Sequence, residues 1–513
     1  MTYQQPYDQH YVTREQAPPP YAPSATTVPP ATNFGDPAKP HGGGAGGGSS
    51  AAERGLSASP PWNDKWWALA FIAQLIGLVV VGGICYNKWR DTFAPGSEPG
   101  DNENHSSDLG PLEHALPLIA VAIAVGLLQA AGWLWLMQRH GRTLIWITLI
   151  FGLIVSGAAI ILAAMAGSVV GVVLAAIFFA LNAWYVYSVR HKIPFAAAML
   201  HVSLRSMSMF KSSFLIPIWG MILMSGLAFV WSICAMSIIY AIDNGSADGP
   251  RSARGFIFFL LALSLFWTIL TIKGWVHTSI AGVQATWYFL VPQAVPSNPV
   301  WHSIKRASTT SFGSICFGSF IVAFIRTVRF FVNMAYQNAR QSRNQWAACA
   351  LCVLECLIGL LESIVNYVNQ YAFAICAIYG KAFMPAAQEA WGLMRSRGFD
   401  AVINDSLIGG VLAFAQIISG LLTGIVTALI ANYSFDTDWR PYAGVGFVIG
   451  VMLLTVVAEV VEAAVITTFI CLADDPATLQ RTKPVEYTML VDPLHQNYPD
   501  IRGGGGAHYG GHV

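Results

Sequence analysis

Residues 144–165 have the sequence LIWITLIFGLIVSGAAIILAAM, which contains no charged side chain. An α-helix rises about 1.5 Å per residue, so about 20 residues are needed to cross the roughly 30 Å of hydrocarbon in a bilayer. Charged side chains are costly at that depth, so their absence over such a length is the decisive feature. The stretch therefore predicts a membrane-spanning helix.

Similar segments lie on both sides of this stretch. Together they make ten predicted transmembrane helices, at residues 66–86, 115–137, 144–165, 168–189, 214–242, 256–291, 311–332, 347–378, 406–431 and 443–473. Buried helices of a large soluble protein are the alternative, and ten such runs in one chain argue against it. We therefore predict an all-α polytopic membrane protein with about ten transmembrane helices.

The composition supports the same fold class. Of the 513 residues, 55% are hydrophobic and only 11% are charged, whereas a soluble domain carries roughly a quarter charged residues. The formal net charge of +1 gives no indication of a nucleic-acid partner. The expected partner of the chain is the lipid bilayer.

The two ends of the chain differ from the middle. Residues 1–64 are polar and rich in Pro and Gly, and residues 474–513 end in two glycine runs. Such segments bury too little apolar surface to offset the entropy cost of ordering, which predicts disorder. The predicted organisation is a disordered tail at 1–64, a helical bundle at 65–473 and a disordered tail at 474–513.

The orientation follows from the basic residues in the loops, since cytoplasmic loops are enriched in Lys and Arg. With ten crossings, four basic loops share one side with both termini: 139–142, 190–211, 305–306 and 381–397. We predict that this side is cytoplasmic. The sequons at Asn104 and Asn244 then lie outside, where N-glycosylation takes place.

One loop disagrees with this scheme. Arg340 and Arg343 lie between the seventh and eighth segments, on the predicted outer side. Either the charge rule fails there, or residues 256–291 cross the membrane twice.

The eighth segment carries the most polar side chains. Spacings of four and three residues put Glu362, Asn366 and Asn369 on one helical stripe. Polar groups at membrane depth face a cavity or a partner helix rather than lipid. We take as candidates for a substrate path Glu362, Asn366, Tyr367, Asn369, Gln370 and Tyr371; hydrogen bonding between helices is the alternative role.

The last segment carries two carboxylates on one face, Glu459 and Glu462. They are candidates to attract a cation or to share a proton. The alternative is a structural ion pair with Arg326 or Arg329. Aromatic rings bind quaternary ammonium groups, so Trp275 and Trp287 of the sixth segment are added as candidate contacts, although Trp also populates membrane interfaces.

The N-terminal tail contains one recognition motif, formed by Pro18, Pro19, Pro20 and Tyr21. Consecutive prolines favour the polyproline II conformation that docks in the aromatic groove of a WW domain. A WW-domain ubiquitin ligase is the partner that this motif suggests.

Enzyme and metal signatures are not found. The sequence contains no phosphate-binding glycine loop before a basic residue, no His-Glu-x-x-His and no nucleophile elbow. Cys349, Cys352 and Cys356 lie on one helical face, but no matching second ligand cluster accompanies them. We therefore expect no enzymatic activity, no cofactor and no metal site.

The C-terminal half resembles the choline transporter-like family. The resemblance is carried by GSFI at 318–321, ESIVNYVNQYA at 362–372, AIYGKAF at 377–383, AAQEAW at 386–391 and the pair Asn404 and Asp405. The Pro/Gly-rich tail and the short first outer loop, 87–113, look like the fungal "pH nine-sensitive" branch. The resemblance implies a ten-helix plasma-membrane transporter or exchanger of choline-like cations.

The sequence is compatible with two functions. The first is facilitated or exchange transport of a small organic solute, specifically a choline-like cation. The second is a membrane interaction or regulatory protein that does not transport and that works through its Pro18–Tyr21 motif.

Overall fold

The computed structural model describes residues 61–93, 110–244, 251–291, 295–342, 345–434 and 439–497. Within these residues the chain forms α-helices joined by short turns, and no strand. The helices are α1 (Lys65–Phe93), α2 (Gly110–Met165), α3 (Val169–Val189), α4 (Ile193–Met209), α5 (Leu215–Asn244), α6 (Arg251–Phe289), α7 (Pro299–Ser308), α8 (Phe312–Gln341), α9 (Gln345–Tyr379), α10 (Phe383–Ser434), α11 (Trp439–Asp474), α12 (Pro476–Thr482) and α13 (Pro484–Asn497).

Nine helices of the described chain are long and apolar enough to span a membrane, namely α1, α2, α3, α5, α6, α8, α9, α10 and α11. The apolar part of α2 covers 49 residues, which as one straight helix would measure about 74 Å, more than twice the hydrocarbon thickness. It is interrupted at His140, whose φ of −129° and ψ of 31° are not helical.

The two halves of α2 run side by side. Trp133 precedes His140 and Phe151 follows it, yet both rings contact Phe414 of α10, with centroids 6.3 and 5.1 Å away. The chain therefore doubles back at His140 and crosses twice, at the position where the sequence predicts a loop between residues 137 and 144. The described chain thus has ten crossings, and the predicted fold class is confirmed.

Helix α6 shows that the sixth predicted segment crosses the membrane once. It is one continuous helix over Arg251–Phe289, so the alternative of two crossings there is wrong. Arg340 consequently lies at the end of α8 opposite to the basic loops, as an exception to the charge rule.

One end of the bundle carries helices that do not span the membrane. Helix α4 is buried along most of its length, with Met199 and Leu200 at 0% exposure. The first part of α10, before the span at Asn404–Tyr433, and the short α7 lie at the same end of their neighbouring spans. The sequence predicts loops at these stretches, because none of them contains about 20 consecutive uncharged residues.

The ordered part of the chain is longer than predicted. The tail expected to be disordered from residue 474 contains α12 and α13, with Leu479 and Leu490 fully buried. At the other end, Asp64 accepts hydrogen bonds from Ser314 Oγ at 2.6 Å and from the backbone N–H of Phe383 at 2.9 Å. The remaining tail residues, 1–60 and 498–513, lie outside the described chain.

Helix α11 runs through the core and packs closely on α10. A Cβ at Gly450 would lie 2.7 Å from the carbonyl oxygen of Ser419, and one at Gly424 would lie 2.9 Å from that of Ala443. Glycine is thus required for this approach of the two backbones, as expected for small residues at helix interfaces. Between Val456 and Leu472 nearly every residue of α11 is buried; Glu459 and Glu462 are half-buried.

Candidate substrate-binding site

Polar side chains from three core helices meet at membrane depth. Helix α6 contributes Lys273, α9 contributes Gln370, and α11 contributes the two glutamates. Lys273 Nζ lies 2.8 Å from Glu459 Oε1, and Gln370 Nε2 donates to Glu462 Oε1 at 2.9 Å. The two glutamates therefore have different partners, a cation for Glu459 and a neutral amide for Glu462.

A cavity of about 270 Å³ opens between α9, α10 and α11. Its polar lining consists of Tyr367, Gln370, Asp405, Ser406 and Glu462, and its apolar lining includes Ile408, Leu412 and Val465. Mostly apolar walls with a few convergent polar groups are typical of small-molecule sites. Two carboxylates and one aromatic ring among those groups favour a cationic ligand.

Asp405 is anchored by two tyrosines of the preceding membrane helix. Its Oδ2 accepts a hydrogen bond from Tyr367 at 2.8 Å and one from Tyr371 at 2.6 Å. Both donors are neutral, so they orient the carboxylate without cancelling its charge. Tyr371 is fully buried behind this contact, whereas Tyr367 also lines the cavity.

A smaller cavity of about 20 Å³ lies on the other side of Gln370. Its polar lining consists of Lys273, His277, Asn366, Asn369 and Gln370. Asn369 Oδ1 and His277 Nε2 are buried and have no hydrogen-bond partner in the described part of the chain. The volume suits about one water molecule, so this cavity is too small for an organic solute.

Glu362 has a different environment from its neighbours on α9. Its two oxygens pair with Arg326 Nε at 2.7 Å and Arg329 Nη1 at 2.9 Å, both on α8. It lines neither of the two cavities. The proposed pairing of these arginines with Glu459 or Glu462 is therefore not found; Glu362 takes that place and links α8 to α9.

The two candidate tryptophans are not brought to the larger cavity. Trp275 Nε1 donates to Ser308 Oγ of α7 at 2.9 Å. Trp287 lies fourteen residues beyond Lys273, about 21 Å along α6. Its ring is covered by the ammonium group of Lys483 at 4.8 Å, and burial lowers the pKa of Lys483.

Three titratable residues of this region were not among the candidates from the sequence: Lys273, His277 and Asp405. A lone charge within a long apolar run was the available signal for Lys273, and His277 follows it by one helical turn. Asp405 begins the ninth span and was noted only as part of the family resemblance. Nothing in the sequence paired any of the three with a partner helix.

The other sequence candidates lie away from this region. Cys349, Cys352 and Cys356 are exposed on α9 as free thiols, and no cluster of His, Cys, Asp or Glu suited to a metal occurs among the described residues. Asn244 is the last residue of α5. Asn104 and the Pro18–Tyr21 motif lie outside the described chain.

Comparison with known proteins now adds to this geometry. Residues 172–477, more than half of the chain, match the family described as "Plasma-membrane choline transporter". The chain belongs to the choline transporter-like family. The matched region includes all of α9, α10 and α11, the three helices that line the larger cavity. The family resemblance found in the sequence is thereby confirmed, and the chain is a multi-pass membrane protein of a transporter family.

Relatives within the choline transporter-like family align along most of the chain. Protein PNS1 of Debaryomyces hansenii is 29% identical over 86% of this chain and 88% of its own length. A CTL-like protein of Dictyostelium discoideum is 30% identical over 85% of this chain and 76% of its own length. Protein PNS1 of Saccharomyces cerevisiae is 26% identical, covering 86% and 84%. The similarity includes the predicted fungal branch.

Proposed function

We propose that this protein transports a small organic cation of the choline type across the plasma membrane, by facilitated or exchange transport. The observation that carries the proposal is the pair of carboxylates, Asp405 and Glu462, facing one apolar cavity at membrane depth. The name of the matched family supports the choice of substrate class.

The residues proposed to contact the substrate are the polar lining of the larger cavity. Asp405 and Glu462 supply negative charge to the ammonium group, and the ring of Tyr367 supplies an aromatic face. Gln370 sits between the two cavities and orients Glu462. Glu462 is hydrogen-bonded to an amide and forms no ion pair in the described chain, so it is available, together with Asp405, to compensate substrate charge, and it is also available to carry a proton.

The other candidate residues take supporting roles in this proposal. Asn366 and Asn369 line the smaller cavity beside Lys273. Glu362 holds α8 against α9 through its two arginines. Tyr371 positions Asp405. Trp275 joins α6 to α7 through Ser308, and the ring of Trp287 packs under Lys483 near the end of α6.

The direct test is uptake of radiolabelled choline into proteoliposomes of the purified protein, with empty liposomes as the control. We expect saturable uptake that excess unlabelled choline blocks and that Glu462→Gln reduces. A signal equal to that of empty liposomes, from protein shown to be folded and inserted, would contradict the choice of choline.

The cellular orientation is a separate part of the proposal. The basic loops favour a cytoplasmic location for both termini, and the family name favours the plasma membrane. Terminal epitope tags in intact and permeabilised cells test both points. Antibody access to either tag without permeabilisation would reverse the orientation.

A further inference from the structure

Helix α3 stands apart from the rest of the bundle. Of its 21 residues only Val189, at the last position, is buried. The helix packs mainly along the second half of α2, and a groove of about 410 Å³ remains between α3, α2 and α10. The groove lies within the membrane-spanning parts of all three helices.

The walls of the groove are mostly apolar. Leu149 and Gly152 of α2 face Phe178 and Leu181 of α3 across it. Because its open side faces lipid, the occupant with matching chemistry is a hydrocarbon chain.

The polar end of the groove and the substrate cavity share one lining residue. Ser406 lines both, and its hydroxyl lies 3.0 Å from the hydroxyl of Tyr185 on α3. Asp405, the residue before Ser406, lines the cavity but not the groove. From Tyr185 to Phe178 the groove follows α3 for seven residues, about 10 Å, away from this charged end.

Two adjacent glycines of α10 keep the boundary between the two spaces thin. Gly409 lines the cavity and Gly410 lines the groove. A Cβ at Gly409 would meet nothing within 4 Å, and one at Gly410 would only touch Thr148. The head and the chain of a ligand with a compact charged head and one chain would meet at Ser406, which lines both spaces.

We propose that the site binds single-chain ammonium amphiphiles, with the cationic head in the cavity at Asp405 and the alkyl chain in the groove between α2, α3 and α10. The inference rests on the proposed function, since it gives the same carboxylates the same cationic group. It extends the substrate class from small cations to amphiphilic ones that reach the site from the bilayer.

The test is inhibition of choline uptake in proteoliposomes by alkyltrimethylammonium ions with chains of one to eight carbons. Burial of each methylene in an apolar groove predicts inhibition that strengthens roughly threefold to fourfold per carbon. Longer chains also accumulate in the bilayer, so the chain-length dependence must be compared between variants in identical membranes.

The deciding variant is Gly152→Leu, which fills the groove, and its matched control is Gly157→Leu. Both glycines lie on α2 and face α3, with Asn182 and Phe179 respectively as the nearest side chains, but Gly157 does not line the groove. We expect the control to keep the steep dependence and Gly152→Leu to reduce it below twofold per carbon, with the KM for choline unchanged in both.

The outcomes separate the two proposals. If choline uptake is normal but both variants show the same chain-length dependence, the groove does not hold the chain and the inference is wrong. If neither the unmodified protein nor either variant takes up choline, the proposed function fails. The groove is then tested on purified protein with a decyltrimethylammonium probe bearing a diazirine at the chain end. Labelling of residues 145–152, 178–185 or 406–410 then supports the groove, and labelling elsewhere overturns it.

Discussion

Replacing Asp405 by Asn removes one charge from the cavity while keeping the size of the side chain. Two unit charges about 5 Å apart interact by about 3 kcal/mol at an effective dielectric constant of about 20. Asp405 is half-buried and Glu462 remains in the same cavity, so we reduce this to about 2 kcal/mol for a bound cation. The expected result is a rise of roughly thirtyfold in the KM for choline.

The assay is the initial rate of radiolabelled choline uptake over a concentration series, in proteoliposomes with matched amounts of inserted protein. The matched control is Asp474→Asn. Asp474 also accepts a hydrogen bond from a tyrosine hydroxyl, that of Tyr379, but it lines neither of the two cavities described above. The control should keep its KM within about twofold of the unmodified protein, because its charge lies outside the cavity.

A KM for Asp405→Asn within twofold of the unmodified protein would refute the reasoning, since the carboxylate would then not attract the substrate. If Asp405→Asn shows no uptake at all, choline-dependent thermal stabilisation of the purified protein measures binding directly. Stabilisation equal to that of the unmodified protein would likewise refute a role in binding.

Three further substitutions test the packing around the site, each measured as thermal unfolding of the detergent-solubilised protein. Glu362→Gln should cost about 1–2 kcal/mol because two partly exposed arginines lose their counter-ion, and adding Arg326→Gln should recover part of the loss; equal stability of the single variant would contradict the ion-pair role. Gly450→Ala should destabilise by about 1–3 kcal/mol by forcing α10 from α11, whereas Gly444→Ala, with nothing within 4 Å, should not; identical unfolding of the two would disprove the close approach. Asp64→Ala should cost about 1–2 kcal/mol by removing the acceptor for two hydrogen bonds at the starts of α8 and α10, and an unchanged midpoint would argue against this contact.

The sequence was sufficient for the membrane crossings because each requires only a length of uncharged chain. It even separated the two halves of α2, since Arg139 and Arg142 interrupt the apolar pattern beside His140. Helices α4 and α13 were missed because amphipathic helices of 17 and 14 residues carry no comparable signal. Their burial depends on neighbours that are distant in the chain.

The candidate site was predictable along each helix but not between helices. Helical spacing places Glu362, Asn366 and Asn369 on one stripe of α9, and Asn366 and Asn369 line the smaller cavity. Glu362 belongs to the same stripe but faces α8 instead, whereas Tyr367 and Gln370, outside it, line the larger cavity. Periodicity cannot distinguish these positions, because the direction of a side chain has meaning only when the neighbouring helix is known.

The partners of the membrane-embedded carboxylates explain why one cavity suits a cation. Glu362 is held by two arginines and Glu459 by a lysine, so their charges are compensated within the protein. Asp405 is held by two phenols and Glu462 by an amide, and neither forms an ion pair among the described residues. Neutral donors lower the cost of a buried carboxylate but leave its charge to act on a ligand. Asp405 and Glu462 line the same cavity, so under the proposed function their two charges attract a positive group, and selectivity for cations would follow from these two carboxylates forming no ion pair in the described chain.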